Sequence, residues 1–309
     1  VIRVGTRRSA LALIQANEVA DLLRARGARV EIVPMRTEGD RLDTAPLAMV
    51  GGKGLFVREF EEALLASRID VAVHSLKDLP AERPPGLSLA ALPPRADPRD
   101  VLVTRGGGRL QDLAPGALVG TSSPRRRALV LSVRPDLRVE PLRGNVDTRL
   151  SKLESAACDA VILAAAGLAR LGVRPEHLAI LDAESFLPAV GQGIIAVEAR
   201  CEDEPTLAAL AALDDPATRA CAEAERSVLR YLGASCNSPL AAHATIRAGG
   251  PMLRVVGLVA SDDGAAVLRA EREGPVARAA AMGREVAEAL LEKGAAHLAP
   301  LRPLAGRAG

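Results

Sequence analysis

Rings are nearly missing from this chain of 309 residues: it has no tryptophan, one tyrosine, Tyr231, and three phenylalanines, Phe56, Phe60 and Phe186. Aliphatic side chains must therefore fill the interior, and a ligand held chiefly by a cage of stacked rings is not expected. Platforms for stacking single-stranded nucleic acid are lacking too. An excess of charge is also absent: 40 basic residues face 38 acidic ones, for a formal net charge of +2. Whole-chain electrostatics thus favour neither nucleic acid nor an anionic membrane, so any anion site must be local. The four cysteines, Cys158, Cys201, Cys221 and Cys236, show no CxxC spacing, which disfavours both a disulfide scaffold and a zinc knuckle. Cys158 and Cys221 read as packed thiols. With no basic, apolar leader and no apolar run of 18 residues, a soluble cytoplasmic protein is expected.

Hydrophobic residues make up 49% of the chain, enough for two or three domains at this length. Strands are expected near 1–5, 29–35 and 69–73, with helices over 9–26 and 56–66 between them. That alternation is the grammar of a helix-covered, mostly parallel sheet. LPPRADPRD (92–100) has the composition of a boundary. A second set follows: strands near 101–104, 118–120, 137–140 and 160–163, with helices over 123–133 and 145–156. SFLPAVGQG (185–193) reads as another crossing, and 194–198 as a strand free to join either sheet. From about residue 215 the grammar changes to a helix over 216–232, strands near 240–246, 253–260 and 266–271, and a last helix over 275–291. The expected fold class is α/β: two α/β domains, with a cleft between them, and a third small α+β domain.

Within that frame, VAVHSLKDLP (71–80) runs an apolar strand into His74, Ser75, Lys77 and Asp78. Ligands of open α/β sheets bind beyond the carboxyl ends of strands, which favours Asp78 as an acid–base or cation-stabilising group. Its plainer reading is a turn residue before Pro80. His74 reads as a structural hydrogen-bonding group rather than a metal ligand. In TSSPRRR (121–127), Ser123 suits a helix cap and Pro124 the first turn, so free N–H groups with Arg125 and Arg126 could hold an oxyanion. LRGNVDTR (142–149) places Arg143 and Arg149 about a second helix start, and Arg7 and Ser9 stand at a third. Gly51, Gly52 and Gly54 around Lys53 lack phosphate-loop spacing and read as a mobile loop. Cys236, in the loop LGASCNSPL (232–240), is the best-placed reactive thiol. Glu38, Asp40, Asp43 and Asp78 are too scattered to establish a metal site, and none is expected.

Taken in order, GTRRSALAL, VGGKGLFVREFE, VAVHSLKDLP, GTSSPRRRA, LRGNVDTRLSKL, LPAVGQG and GASCNSP resemble the porphobilinogen deaminase (hydroxymethylbilane synthase) family over almost the whole chain. The resemblance implies a transferase of porphyrin, and so heme and tetrapyrrole, biosynthesis. It would deaminate four porphobilinogen molecules, join them head to tail on a covalent dipyrromethane primer, and release hydroxymethylbilane. It implies that Cys236 carries the primer through a thioether and that Asp78 handles pyrrole nitrogens and protons around an azafulvene-like cation. Arg7, Ser9, Lys77, Arg125, Arg126, Arg143 and Arg149 would hold acetate and propionate groups. Lys53 would belong to the mobile loop, and Gln15 would lie near incoming substrate. The fold implied is that of two periplasmic-binding-protein-like α/β domains plus a cofactor-attachment domain: residues 1–94 with 194–214, 95–193, and 215–309. A monomer is implied as well. Every pyrrole brings two carboxylates, which the planar fork of arginine suits. The rival reading is a non-catalytic two-domain anion receptor with an added α+β module, which would need the arginines but no modified Cys236.

Overall fold

A computed structural model describes residues 1–36, 57–235, 238–247 and 250–303. They fall into two compact units, Val1–Ala96 with Ile194–Arg219, and Asp97–Gly193 with Ala220–Gly309.

The first unit is built on a five-stranded sheet in the order β2-β1-β3-β10-β4. Its strands are β1 (Ile2–Arg7), β2 (Val30–Met35), β3 (Val71–Ser75), β4 (Leu87–Ala91) and β10 (Ile195–Arg200). Strands β1, β2 and β3 run parallel, whereas β10 is antiparallel to β3 and β4. The sheet is therefore mixed, and residues 194–198, whose pattern suits a strand of either sheet and which the resemblance places in the first domain, join this one. Helix α1 (Ala10–Arg24) starts where the Ser9 side chain accepts a bond from the Ala12 N–H, the cap expected from sequence. Its face of Ala16, Val19, Ala20 and Leu23, at helical spacing, is fully buried against Val4, Val71, Val73 and Val197. Helix α2 (Arg58–Leu65) turns Phe60, Ala63 and Leu64 inward on the sheet's Ala72. Helix α6 (Glu204–Ala211) completes the unit, with Leu210 buried among the β1 and β3 side chains.

The second unit carries a matching sheet, β7-β6-β8-β5-β9, formed by β5 (Asp100–Thr104), β6 (Leu118–Gly120), β7 (Arg138–Glu140), β8 (Ala160–Ala164) and β9 (Leu178–Ile180). Here β6 is parallel to β7 and β8, and β5 is antiparallel to β8 and β9. In both sheets, then, a strand following a crossing segment inserts antiparallel. Helices α3 (Pro124–Val133), α4 (Val146–Glu154) and α5 (Ala165–Leu171) accompany this sheet.

Helix α7 (Pro216–Tyr231) leads to the antiparallel sheet β11 (Leu240–Ile246), β12 (Met252–Ala260) and β13 (Val267–Pro275), and helix α8 (Ala279–Glu292) follows. Ala241, Val256 and Leu258 of this third sheet join one apolar cluster with Ala128, Leu129 and Val130 of α3. Two α/β sheets and a smaller α+β element are thus present, as expected. Strands β4 and β9 and helices α5 and α6 were not anticipated.

Candidate active site

In the first unit the parallel strands β1 and β3 end on the same edge of the sheet, and their carboxyl ends supply the site. Arg7 is the last residue of β1, and Ser9, capping α1, follows two residues later. One turn and a half into α1, Gln15 is 4% exposed, and its amide donates to the Ser75 hydroxyl at 2.9 Å. That bond fastens α1 to the end of β3. The chain then makes a single 3₁₀ turn, Leu76–Asp78, with Leu76 buried beneath it and Asp78 exposed. A small pocket of about 80 Å³ results, lined by Arg7, Ser9, Leu11, Ala12, Gln15, Val57, Val73, His74, Ser75 and Asp78. Four side chains singled out from sequence, Arg7, Ser9, Gln15 and Asp78, therefore share one pocket. Lys77 lies half-buried on the same turn.

His74 forms part of the wall. Its ring meets Phe60 edge-on at 5.1 Å between centroids, and its Nε2 lies 3.5 Å from the fully buried Glu198 on β10. Burial, reinforced by the nearby Arg7 cation, lowers its pKa to about 4. The imidazole is consequently neutral near pH 7, and its contact with Glu198 is not an ion pair. The only trace of Glu198 in the sequence is an acid inside the apolar run IIAVEA.

The second unit places the remaining arginines at two helix starts. The Ser123 hydroxyl accepts from the Arg126 N–H and caps α3 as expected, while Ser122 donates to the Leu142 carbonyl at 2.9 Å. The guanidinium groups of Arg125 and Arg126 lie somewhere unexpected. They are 3% and 6% exposed and converge on Asp100, which is fully buried. Arg125 Nη1 donates to Asp100 Oδ2 at 2.7 Å, and Arg126 Nη2 to Oδ1 at 2.6 Å. Arg125 also donates to the Leu187 carbonyl, and Arg126 to that of Ile162. The sequence pattern suggested two arginines facing a ligand from the helix mouth; in the structure both guanidinium groups also have an internal partner, the Asp100 carboxylate. That carboxylate is held well below its ordinary range because the two cations outweigh the penalty of burial. Arg125 Nε remains buried without a hydrogen-bond partner.

At the second helix start, Asn145 Oδ1 accepts from the Thr148 N–H and hydroxyl, and Arg149 Nε donates to the Gly144 carbonyl at 2.9 Å. Gly144 has φ +109°, and a Cβ there would lie 2.5 Å from the Thr148 side chain, so glycine is required for this cap. Arg143 and Arg149 are half-buried beside it. Lys53 and Cys236 lie outside the described residues, as do Glu38, Asp40 and Asp43. Cys158 and Cys221 are buried, as expected for packed thiols, and Cys201 is exposed. Among the described residues no group of three or more His, Cys, Asp or Glu side chains could hold a metal ion, and no helix is long and apolar enough to cross a membrane.

Fold and site together define an α/β protein whose first unit brings a carboxylate, a guanidinium group and polar side chains into one pocket at the ends of its strands, and whose second unit carries arginines at the starts of its helices. The model of the family described as porphobilinogen deaminase, dipyromethane cofactor binding domain, matches residues 2–208, and that of the porphobilinogen deaminase C-terminal domain matches residues 219–292. A porphobilinogen deaminase of Syntrophobacter fumaroxidans is 50% identical over 297 residues, covering 96% of each chain. One from Brevibacillus brevis is 48% identical, covering 95% of this chain and 94% of its own. Among solved structures, the BvgS VFT2 domain of Bordetella pertussis (a double mutant) is similar with a TM-score of 0.43 and 17% identity, over 68% of this chain and 84% of that one. The chain belongs to the porphobilinogen deaminase family.

Proposed function

We propose that Asp78 is the acid–base group through which this chain acts as a hydroxymethylbilane synthase. The activity of the family is the deamination of four porphobilinogen molecules and their head-to-tail joining on a dipyrromethane primer, with release of hydroxymethylbilane. The observation that carries the assignment is the position of Asp78 in one pocket with Arg7, Ser9 and Gln15, at the carboxyl ends of two parallel strands. There its carboxylate is placed to hold a pyrrole N–H and to balance positive charge as ammonia leaves the substrate. A fixed carboxylate does this without solvent reorganisation. Arg7 supplies a guanidinium for a substrate carboxylate, with the Ser9 hydroxyl beside it, and the Gln15–Ser75 bond fixes the wall they stand on.

The donor chemistry fits the cofactor. Dipyrromethane carries acetate and propionate arms, and the second unit offers Arg143 and Arg149 at a helix start, the capped start of α3, and the unpartnered Arg125 Nε. When bound, the cofactor supplies the pyrrole end from which polymerisation is primed. Arg125, Arg126, Arg143, Arg149 and Lys77 are assigned to its carboxylates and those of the growing chain, Lys53 to the glycine loop, and Cys236 to the thioether. The same proposal includes three domains, residues 1–94 with 194–214, 95–193 and 215–309. Three separate sheets support that division. It also includes a monomer working in the cytoplasm.

The mass of the intact purified chain tests the proposal. A mass above that of the sequence by one dipyrromethane unit, and lost in Cys236→Ser, is the expected result. An unmodified but fully active chain would overturn it.

A further inference from the structure

The carboxylate that gathers Arg125 and Arg126 is itself held from a distance. Asp100 Oδ1 accepts from Arg126 and also from the Gln192 amide, at 3.0 Å. The same amide nitrogen donates to the Pro98 carbonyl at 2.7 Å, so Gln192 fixes the entry to β5 and the Asp100 head group together. One residue earlier, the Gly191 N–H donates to Glu225 Oε2 at 2.7 Å. Glu225 lies on α7, is fully buried, and accepts at its other oxygen from the Ala244 N–H of β11 at 2.8 Å. These bonds form a continuous line from the third sheet, through Glu225 and the 185–193 segment, to Asp100 and the arginine pair.

Burying three charges is tolerated only where each is well paired, and the geometry of such a cluster is set by whichever partners fix its carboxylate. The two arginines extend from the first turn of α3 and hold both oxygens of that carboxylate. Gln192 adds a donor from a third side chain, and Glu225 holds the backbone that carries Gln192. We propose that Gln192 and Glu225 are positioning residues for the arginine pair: they orient the Asp100 carboxylate, and through it the guanidinium groups that receive the primer's carboxylates. The proposal rests on the reading that this pair serves the cofactor.

The test compares Gln192→Met, Glu225→Gln and the double variant with the wild-type chain, all as purified holoenzyme. Intact mass gives the fraction carrying the primer, steady-state kinetics give KM and kcat for porphobilinogen, and urea unfolding gives stability. Gln192→Met keeps the three charges and the side-chain length. It is expected to stay folded while the primer-bearing fraction falls or KM rises by about 3- to 10-fold, the worth of one hydrogen bond, with kcat less affected. The double variant is expected to be no worse than the more impaired single variant, because both act along one line. Wild-type primer content and KM in Gln192→Met would overturn the proposal, as would losses that only follow the unfolded fraction. Additive effects in the double variant would overturn the link through Glu225. Should Glu225→Gln fail to fold, Gln192→Met alone decides the role of Gln192 by the same measures. A wild-type chain with no added mass would instead remove the cofactor reading beneath it.

Discussion

At the scale of single residues, two acids with opposite surroundings divide the work. Asp100 is sealed from solvent and saturated by two cations and an amide, so it organises its neighbours and takes no proton. Asp78 stands exposed at a pocket mouth on a turn whose fold depends on Leu76 beneath it. Asp78→Asn therefore leaves packing intact and removes only the charge and the proton acceptor. Turnover is expected to drop by about 10²- to 10⁴-fold, the usual worth of a positioned acid–base group, with the urea midpoint unchanged. Hydroxymethylbilane formation measured beside unfolding checks this, and near-normal turnover would remove Asp78 from its assigned role. The sequence displayed Asp78 clearly because a charged cluster closes an apolar strand. It displayed Arg125 and Arg126 as well, but as donors facing outward. Their partner lies 25 and 26 residues away, at the head of an antiparallel strand, and no local pattern announces a contact made by chain crossing.

Among the elements, legibility followed length and periodicity. Helix α1, with an apolar face over four turns, and α8, with Met282, Val286 and Leu290 on one stripe, were readable nearly to their ends. By contrast, β9 has three residues and α5 begins directly at the end of β8. Neither gives a periodic signal long enough to stand out from its surroundings. The packing of the third sheet on α3 was equally invisible, yet one glycine reports it. Gly264, in the turn between β12 and β13, has φ +70°, and a Cβ there would lie 2.4 Å from the Ala128 carbonyl and 2.6 Å from the Ser132 nitrogen of α3. Gly172, at the end of α5, has φ +68° but nothing within 4 Å of the same added atom. Gly172→Ala should thus cost only the left-handed backbone term, about 1–2 kcal/mol. Gly264→Ala should cost a further ~1–3 kcal/mol, because helix backbone must shift to admit a methyl group. Both glycines lie in the same compact unit, so urea unfolding of the two variants isolates the contact. Equal losses would show that the turn does not bear on α3.

For the molecule as a whole, buried titratable groups set how stability depends on pH, and the sign follows from which state binds more protons. His74 has its pKa lowered from 6.5 to about 4, mainly by burial and then by Arg7. The unfolded chain takes up a proton near 6.5 that the folded chain refuses until about 4, so stability falls as pH drops through that window. Asp70 behaves differently. Desolvation is the largest single influence on it and acts upward, but hydrogen bonds and charge from Arg3 and Arg200 together outweigh it and lower its pKa from 3.8 to about 2. The stability it contributes is present above 3.8 and is lost only as pH falls towards about 2. Two acid-sensitive windows therefore belong to one unit, and His74 contributes to the upper one. His74→Gln removes the titrating ring but keeps a polar group beside Glu198. The variant is expected to lose stability at neutral pH through the lost ring contact with Phe60, while its urea midpoint stays nearly flat between pH 6.5 and 4. Below pH 4 it should decline in parallel with the wild type, since Asp70 is untouched. Midpoints measured at closely spaced pH values check this. A variant as acid-sensitive as the wild type across the upper window would place the responsible proton on another group, and a flat wild-type profile there would mean that His74 is charged in the folded chain.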